Sequence, residues 1–131
     1  MKHRLSFGYF NIIADNILEV VADEGIEFTL EMIGECHQFV EQHFIEDFGM
    51  LVNRVNNYTY SFEAKLSIAS YENLKAIAFV YYSLDSKKTA ESLYQLRSSD
   101  AWNFQAFSGL ELGWQQGFDW LKKELTVLKV N

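Results

Sequence analysis

The stretch Ala76-Ile77-Ala78-Phe79-Val80-Tyr81-Tyr82 carries no polar group beyond the phenol ends of its two tyrosines. It is far shorter than the roughly 20 apolar residues of a membrane span. A short run that is apolar on both sides reads as a central strand, and such a strand must be covered on both faces. That requirement points to a layered α/β fold. Residues 49–55 form a second short apolar run and residues 17–22 a third, and amphipathic segments separate the three. Strands alternating with helices imply a mostly parallel sheet under helical cover.

The remaining elements follow from periodicity and turn chemistry. Residues 5–13 are rich in aromatic and β-branched side chains and read as one strand. Turn residues Asp15 and Asn16 link it to residues 17–22 as an antiparallel hairpin. Residues 27–44 read as a long helix at about 100° per residue. Its apolar arc holds Ile26, Leu30, Ile33, Cys36, His37, Val40 and Phe44, opposite Glu27, Glu31 and Glu35. A short helix is expected at 62–70, and a longer one at 86–97 with Asp85 as N-cap. A last short strand occupies 103–107. Ser108 and Glu111 have capping-box spacing before a closing helix at 110–125. On that helix Leu110, Trp114, Phe118, Leu121 and Leu125 share an arc, and Gly113 and Gly117 would let the backbone approach the sheet. The expected order is β-β-α-β-α-β-α-β-α, one domain over residues 1–131. Its sheet has four to five strands, with an antiparallel N-terminal hairpin at one edge and about four helices as cover.

Composition excludes several functions. The 131-residue chain has a formal net charge of −7, and nucleic-acid binders need a basic patch for phosphates. It contains no proline and a single cysteine, Cys36, so neither an intrachain disulfide nor a Cys-x-x-Cys zinc ribbon is available. A lone thiol fits a reducing compartment. No long apolar run ending in a small-residue cleavage pattern follows the basic Lys2-His3-Arg4. The expected location is the cytoplasm, with no membrane span.

No catalytic constellation emerges. His37, Glu41 and Cys36 neighbour one another on a helix, but His3, His37 and His43 do not form a zinc-ligand motif. A mid-helix apolar thiol has a raised pKa. The glutamates of the first helix read as a solvated face. Ser61, Ser83, Ser86 and Ser108 lack a Gly-x-Ser-x-Gly context, and no phosphate-binding glycine loop is present. No cofactor or metal is expected. The segment Tyr58-Thr59-Tyr60-Ser61 places several hydroxyls between a strand end and a helix start. Ligands of open α/β sheets gather near the carboxyl ends of strands, and helix N-termini favour anions. N-capping by Ser61 or Thr59 is the simpler use of the same groups.

Four segments together resemble the SpoIIAA-like superfamily: the STAS domains of anti-sigma factor antagonists and their CRAL-TRIO-like relatives. They are Ile17–Ala22 running into Asp23-Glu24-Gly25, Gly49-Met50-Leu51-Val52-Asn53, Ala76-Ile77-Ala78-Phe79-Val80, and Phe104-Gln105-Ala106-Phe107-Ser108 continuing to Trp120-Leu121. In anti-sigma antagonists an Asp-Ser-Ser-Gly-like segment ends the strand before the second helix, and a partner kinase phosphorylates a serine there. The corresponding stretch here is Asn56-Asn57-Tyr58-Thr59-Tyr60-Ser61, which lacks that Asp and Gly. Arg54 with Asn53 and Tyr58 is more similar to single-domain bacterial members. The resemblance implies a non-enzymatic regulatory module that binds a protein partner, with room for a homodimer. Arg54, Asn57, Tyr58, Thr59 and Ser61 form its candidate switch or ligand loop. The alternative it implies is a carrier of a small apolar or anionic ligand, as in CRAL-TRIO relatives.

Overall fold

The computed structural model describes residues 2–130, with side chains through residue 126. Strands β1 (Lys2–Leu5), β2 (Gly8–Ala14), β3 (Ile17–Ala22), β5 (Phe48–Asn53), β7 (Leu74–Tyr81) and β8 (Phe104–Ser108) form one six-stranded sheet in the order β1-β2-β3-β5-β7-β8. β4 (Glu27–Phe28) and β6 (Thr59–Tyr60) pair in parallel as a separate two-stranded sheet. The helices are α1 (Leu30–His43), α2 (Phe62–Ser67), α3 (Leu84–Leu96) and α4 (Gly113–Val130). The first three strands pair antiparallel, and β3-β5, β5-β7 and β7-β8 are all parallel. The main sheet therefore has six strands, one more than the upper expectation.

The extra strand arises because residues 5–13 are not continuous. Ser6 and Phe7 turn the chain, separating β1 from β2. Phe7 is fully buried against Phe10 and Phe28, so an apolar turn residue looks like a strand residue in the sequence. The start of α1 also moves. Glu27 and Phe28 are extended, and Thr29 caps the helix by accepting from the Met32 N–H. Ser83, not Asp85, caps α3, through the Ser86 N–H at 3.1 Å. The Ser108–Glu111 capping box does not form. Gly109–Glu111 is a 3₁₀ turn without a side-chain cap, and Leu110 is exposed rather than on the buried arc.

Strand alternation divides the core between the two faces. Leu18, Val20, Phe48 and Met50 meet Ile33, Phe39 and Val40 of α1, Ala64 of α2 and Leu93 of α3. Ile17, Leu51, Ala76, Ala78 and Val80 meet Leu121 and Leu125 of α4. Each fully buried Val, Leu, Ile, Phe or Met side chain among them contributes roughly 1.5–3 kcal/mol. Gly117 permits the close seat of α4, since a Cβ there would stand 3.3 Å from the Ala78 side chain. Trp120, off the main arc, is half-buried against Phe107.

One polar group ties the α4 face together. Glu19 of β3 accepts from the Asn11 amide at 3.2 Å, the Asn53 amide at 3.0 Å and the Trp114 indole at 2.7 Å. Tyr82 donates to Asn53 Oδ1 at 2.8 Å. With every member partnered, the network fixes the start of α4 over the sheet at little desolvation cost.

Candidate functional site

At the carboxyl ends of β3 and β5 the chain leaves the sheet and forms a cleft of about 380 Å³ beside α3. Gly25, Ile26, Arg54, Asn57, Tyr58, Thr59, Asp85, Ser86 and Thr89 line it. Four of the five residues singled out in the sequence, Arg54, Asn57, Tyr58 and Thr59, thus meet in one place. Ser61 lies outside it. Its hydroxyl accepts the Ala64 N–H at 3.1 Å, so it serves as the N-cap of α2.

The loop is held by the segment after β3. Gly25 donates to Asn57 O at 2.6 Å, and the Asn57 N–H donates to Glu24 Oε2 at 2.7 Å. The Asn56 amide reaches Ala22 O at 2.9 Å, and the Thr59 N–H reaches Ile26 O at 3.0 Å. Gly25 has φ +78°, a conformation that a side chain would strain. These bonds preorganise the wall of the cleft.

Arg54 sits immediately after β5 and is 5 % exposed. Its guanidinium stacks 4.0 Å from the Tyr58 ring centroid, with Tyr60 and Phe79 within 6 Å. Its Nη2 donates to Tyr58 O at 2.6 Å. Nε and Nη1 have no hydrogen-bond partner, and no ion pair among the described residues involves Arg54. Ring faces offset part of the cost of burying the cation, but in-plane N–H groups are not satisfied by them. Burial holds the Tyr58 phenol well above its ordinary pKa. Tyr60 pushes in the same direction, and the charge and hydrogen-bonding influence of the nearby Arg54 side chain act in the opposite one.

Opposite the loop stands the first turn of α3. Ser86 is 4 % exposed, and its hydroxyl is a second buried polar group without a partner. Asp85, one position earlier, is exposed at the rim. Asp85, Ser86 and Thr89 were not expected in a site. Their one sequence signal, an acidic residue and hydroxyls at a helix start, is also what ordinary capping requires.

The other titratable groups fall elsewhere. Burial pushes the Cys36 thiol up to about 12, with the nearby Glu35 adding to the effect and a bond from Tyr71 opposing it. His37 packs against the Tyr71 ring. Glu35 is not simply solvated: it accepts from the Ser6 N–H at 3.0 Å and from the Ser6 hydroxyl. Among the described residues no cluster of His, Cys, Asp or Glu could hold a metal ion, and no helix is long and apolar enough to cross a membrane. Comparison with family models, with curated proteins and with solved structures returned no match.

Proposed function

We propose that the protein is a non-enzymatic regulatory module of the SpoIIAA-like, STAS-like kind, acting by binding a partner protein through the loop 56–61 and the adjoining face of α2. The observation that carries this reading is an apolar ridge. α2 begins directly after the loop, and its Phe62 and Leu66 are 63 % and 48 % exposed. An open groove lies on each side. One contains Leu30, Ile33 and Leu66, the other Tyr60, Phe62, Leu93 and Leu96 beside Lys65 and Lys88. Contiguous exposed apolar surface with a polar rim is the usual mark of an interface. The consecutive strands β3, β5, β7 and β8, each joined to the next through a helix, support the fold-level part of the reading.

Apolar cargo is less well supported, because the grooves beside α2, of about 430 and 460 Å³, and the cleft beside α3, of about 380 Å³, all open at the surface. The test places a photo-crosslinker at Phe62 in the full chain and identifies adducts formed in its host cells. A discrete adduct is expected that Leu66→Asp abolishes and Leu110→Asp, on an exposed turn before α4, preserves. Adducts indifferent to Leu66→Asp would remove α2 as the interface. A second copy of the chain as the adduct would assign the ridge to homodimerisation.

A further inference from the structure

We infer that the cleft at the start of α3 is a binding site for a phosphate group, held by Arg54, Ser86 and the N-terminal turn of the helix. The inference goes beyond the partner-binding reading and does not depend on it.

Two independent residues that line the same cleft carry buried polar atoms without a partner. Arg54 comes from the end of β5, with Nε and Nη1 unpartnered, and Ser86 comes from α3, with its hydroxyl unpartnered. Orphaned buried polar atoms are uncommon in folded proteins, and each one costs stability. Finding two beside one cleft is the pattern expected of a site whose ligand supplies the missing partners.

The contrast with Arg97 shows that this chain can satisfy a buried arginine when the fold alone requires it. Arg97 is 7 % exposed. It pairs with Asp100, caps the end of α2 through Lys65 O at 3.1 Å and Ile68 O at 2.6 Å, and reaches the Ser70 hydroxyl at 2.9 Å. All three of its nitrogens are used. Arg54 has one carbonyl, three rings and the neighbouring Tyr58 phenol, and no counter-charge among the described residues.

The donor set selects the ligand. Arg54 offers three of the five guanidinium N–H groups, one on Nε and two on Nη1. Ser86 offers an O–H. α3 is a 13-residue helix. The Ser83 side chain and carbonyl take the N–H groups of Ser86 and Lys87, and those of Leu84 and Asp85 remain, as at any helix start. Donors from two different elements, at the positive end of a helix dipole, suit a tetrahedral oxyanion better than a planar carboxylate. The stack on Tyr58 and the bond to Tyr58 O fix the guanidinium before any ligand arrives, so little is lost in ordering it. Thr59, Asn57 and Thr89 line the rest of the cleft, leaving room for whatever carries the phosphate.

Asp85 works against a bare dianion. Its carboxylate stands at the rim, where it repels negative charge and favours a ligand that presents a donor of its own. Removing its charge should therefore tighten inorganic phosphate, whereas removing a cap or a structural residue would not.

The full chain in phosphate- and sulfate-free buffer is titrated with inorganic phosphate and, separately, with a phosphoserine peptide, at fixed ionic strength. Nitrogen–proton NMR follows Arg54 Nε–H and the Ser86 amide. Saturable shifts at both are expected. Ser86→Ala should weaken binding about tenfold or more, as loss of a bond to a charged group does. Asp85→Asn should tighten it several-fold, and Arg54→Met should abolish it. Should Arg54→Met not fold, the opposite effects of Ser86→Ala and Asp85→Asn decide. Equal affinity for both ligands assigns a small phosphorylated molecule, and a tighter peptide assigns a phosphorylated side chain. Shifts that do not saturate, or the same affinity in wild type, Ser86→Ala and Asp85→Asn, would overturn the site.

Discussion

Arg54 and Arg97 are both buried cations, yet they stand in opposite relations to the fold. Arg97 fastens the end of α2 and has a counter-charge, so its removal strands the helix carbonyls it caps. Arg54 leaves two nitrogens unpartnered, and a buried charge without a partner contributes little to stability or opposes it. Arg97→Met is therefore expected to lower the unfolding free energy by about 3 kcal/mol. Arg54→Met should change it by no more than about 1 kcal/mol, measured by urea unfolding without phosphate. Equal losses would show that Arg54 is a structural residue. Cys36 gives a second prediction at this scale. Its folded pKa of about 12 lies above the ordinary 9.0, so the neutral thiol is the form the fold accepts. Below pH 9 both states keep the proton and this contribution is whole. Between the two values the unfolded chain loses its proton while the fold retains it, and stability falls as pH rises. The stability advantage of wild type over Cys36→Ala should narrow from about pH 9 upward, and iodoacetamide should not label the folded thiol at neutral pH. A constant gap, or rapid labelling, would contradict the assigned burial.

Among the elements, two helical glycines separate propensity from packing. Gly34 lies inside α1, and a Cβ there would meet nothing within 4 Å. Gly34→Ala should stabilise the protein by about 1 kcal/mol, the helix propensity difference. Gly113 opens α4, where a Cβ would stand 2.2 Å from the Ser108 carbonyl oxygen, so Gly113→Ala should lower the thermal midpoint although alanine is the better helix former. Changes of the same sign in both variants would mean that the turn before α4 moves freely. The same distinction explains how much of the molecule was legible in the sequence. The runs 17–22, 49–55 and 76–82 were readable because a continuous apolar strand needs cover on both faces. β3, β5 and β7 lie there, and helices do cover both faces of the sheet. The boundaries failed where one residue serves two patterns. Phe7 is apolar but turns. Phe28 falls within the span read as helix but pairs with Tyr60, and Asp85 fits a cap that Ser83 fills. The loop half of the cleft was visible because Arg54, Asn57, Tyr58 and Thr59 are close in the chain. Ser86 was not, because only the seating of α3 beside that loop brings it to the same cleft as Arg54.

For the molecule as a whole, the two-sided cover of the sheet sets an order of stability. β5 and β7 have neighbours on both edges and packed helices on both faces. β1 has one neighbour, and its residues alternate between exposed and half-buried. Its side chains guard the free edge. Lys2 and Arg4 lie over the Tyr9 ring at 4.3 and 5.0 Å, and Arg4 pairs with Asp23 at 2.5 Å. Lysine and arginine discourage a second chain from pairing there, but an exposed pair of this kind adds little stability. The hydrogen bond and charge of Arg4 hold the Asp23 carboxyl below its ordinary pKa, so the small contribution is present above that value and is lost as pH falls through the lowered one. β1 should thus open without the rest of the fold. Native-state hydrogen exchange is expected to show β1 amides exchanging through local opening, nearly independent of low urea. Amides of β5 and β7 should exchange only through global unfolding, with a steep urea dependence. Arg4→Ala should lower the opening free energy read from β1 amides and leave that of β7 nearly unchanged. Exchange of β1 and β7 at a common free energy and urea slope would mean that the sheet opens as one unit, and the edge strand would then be integral to the core.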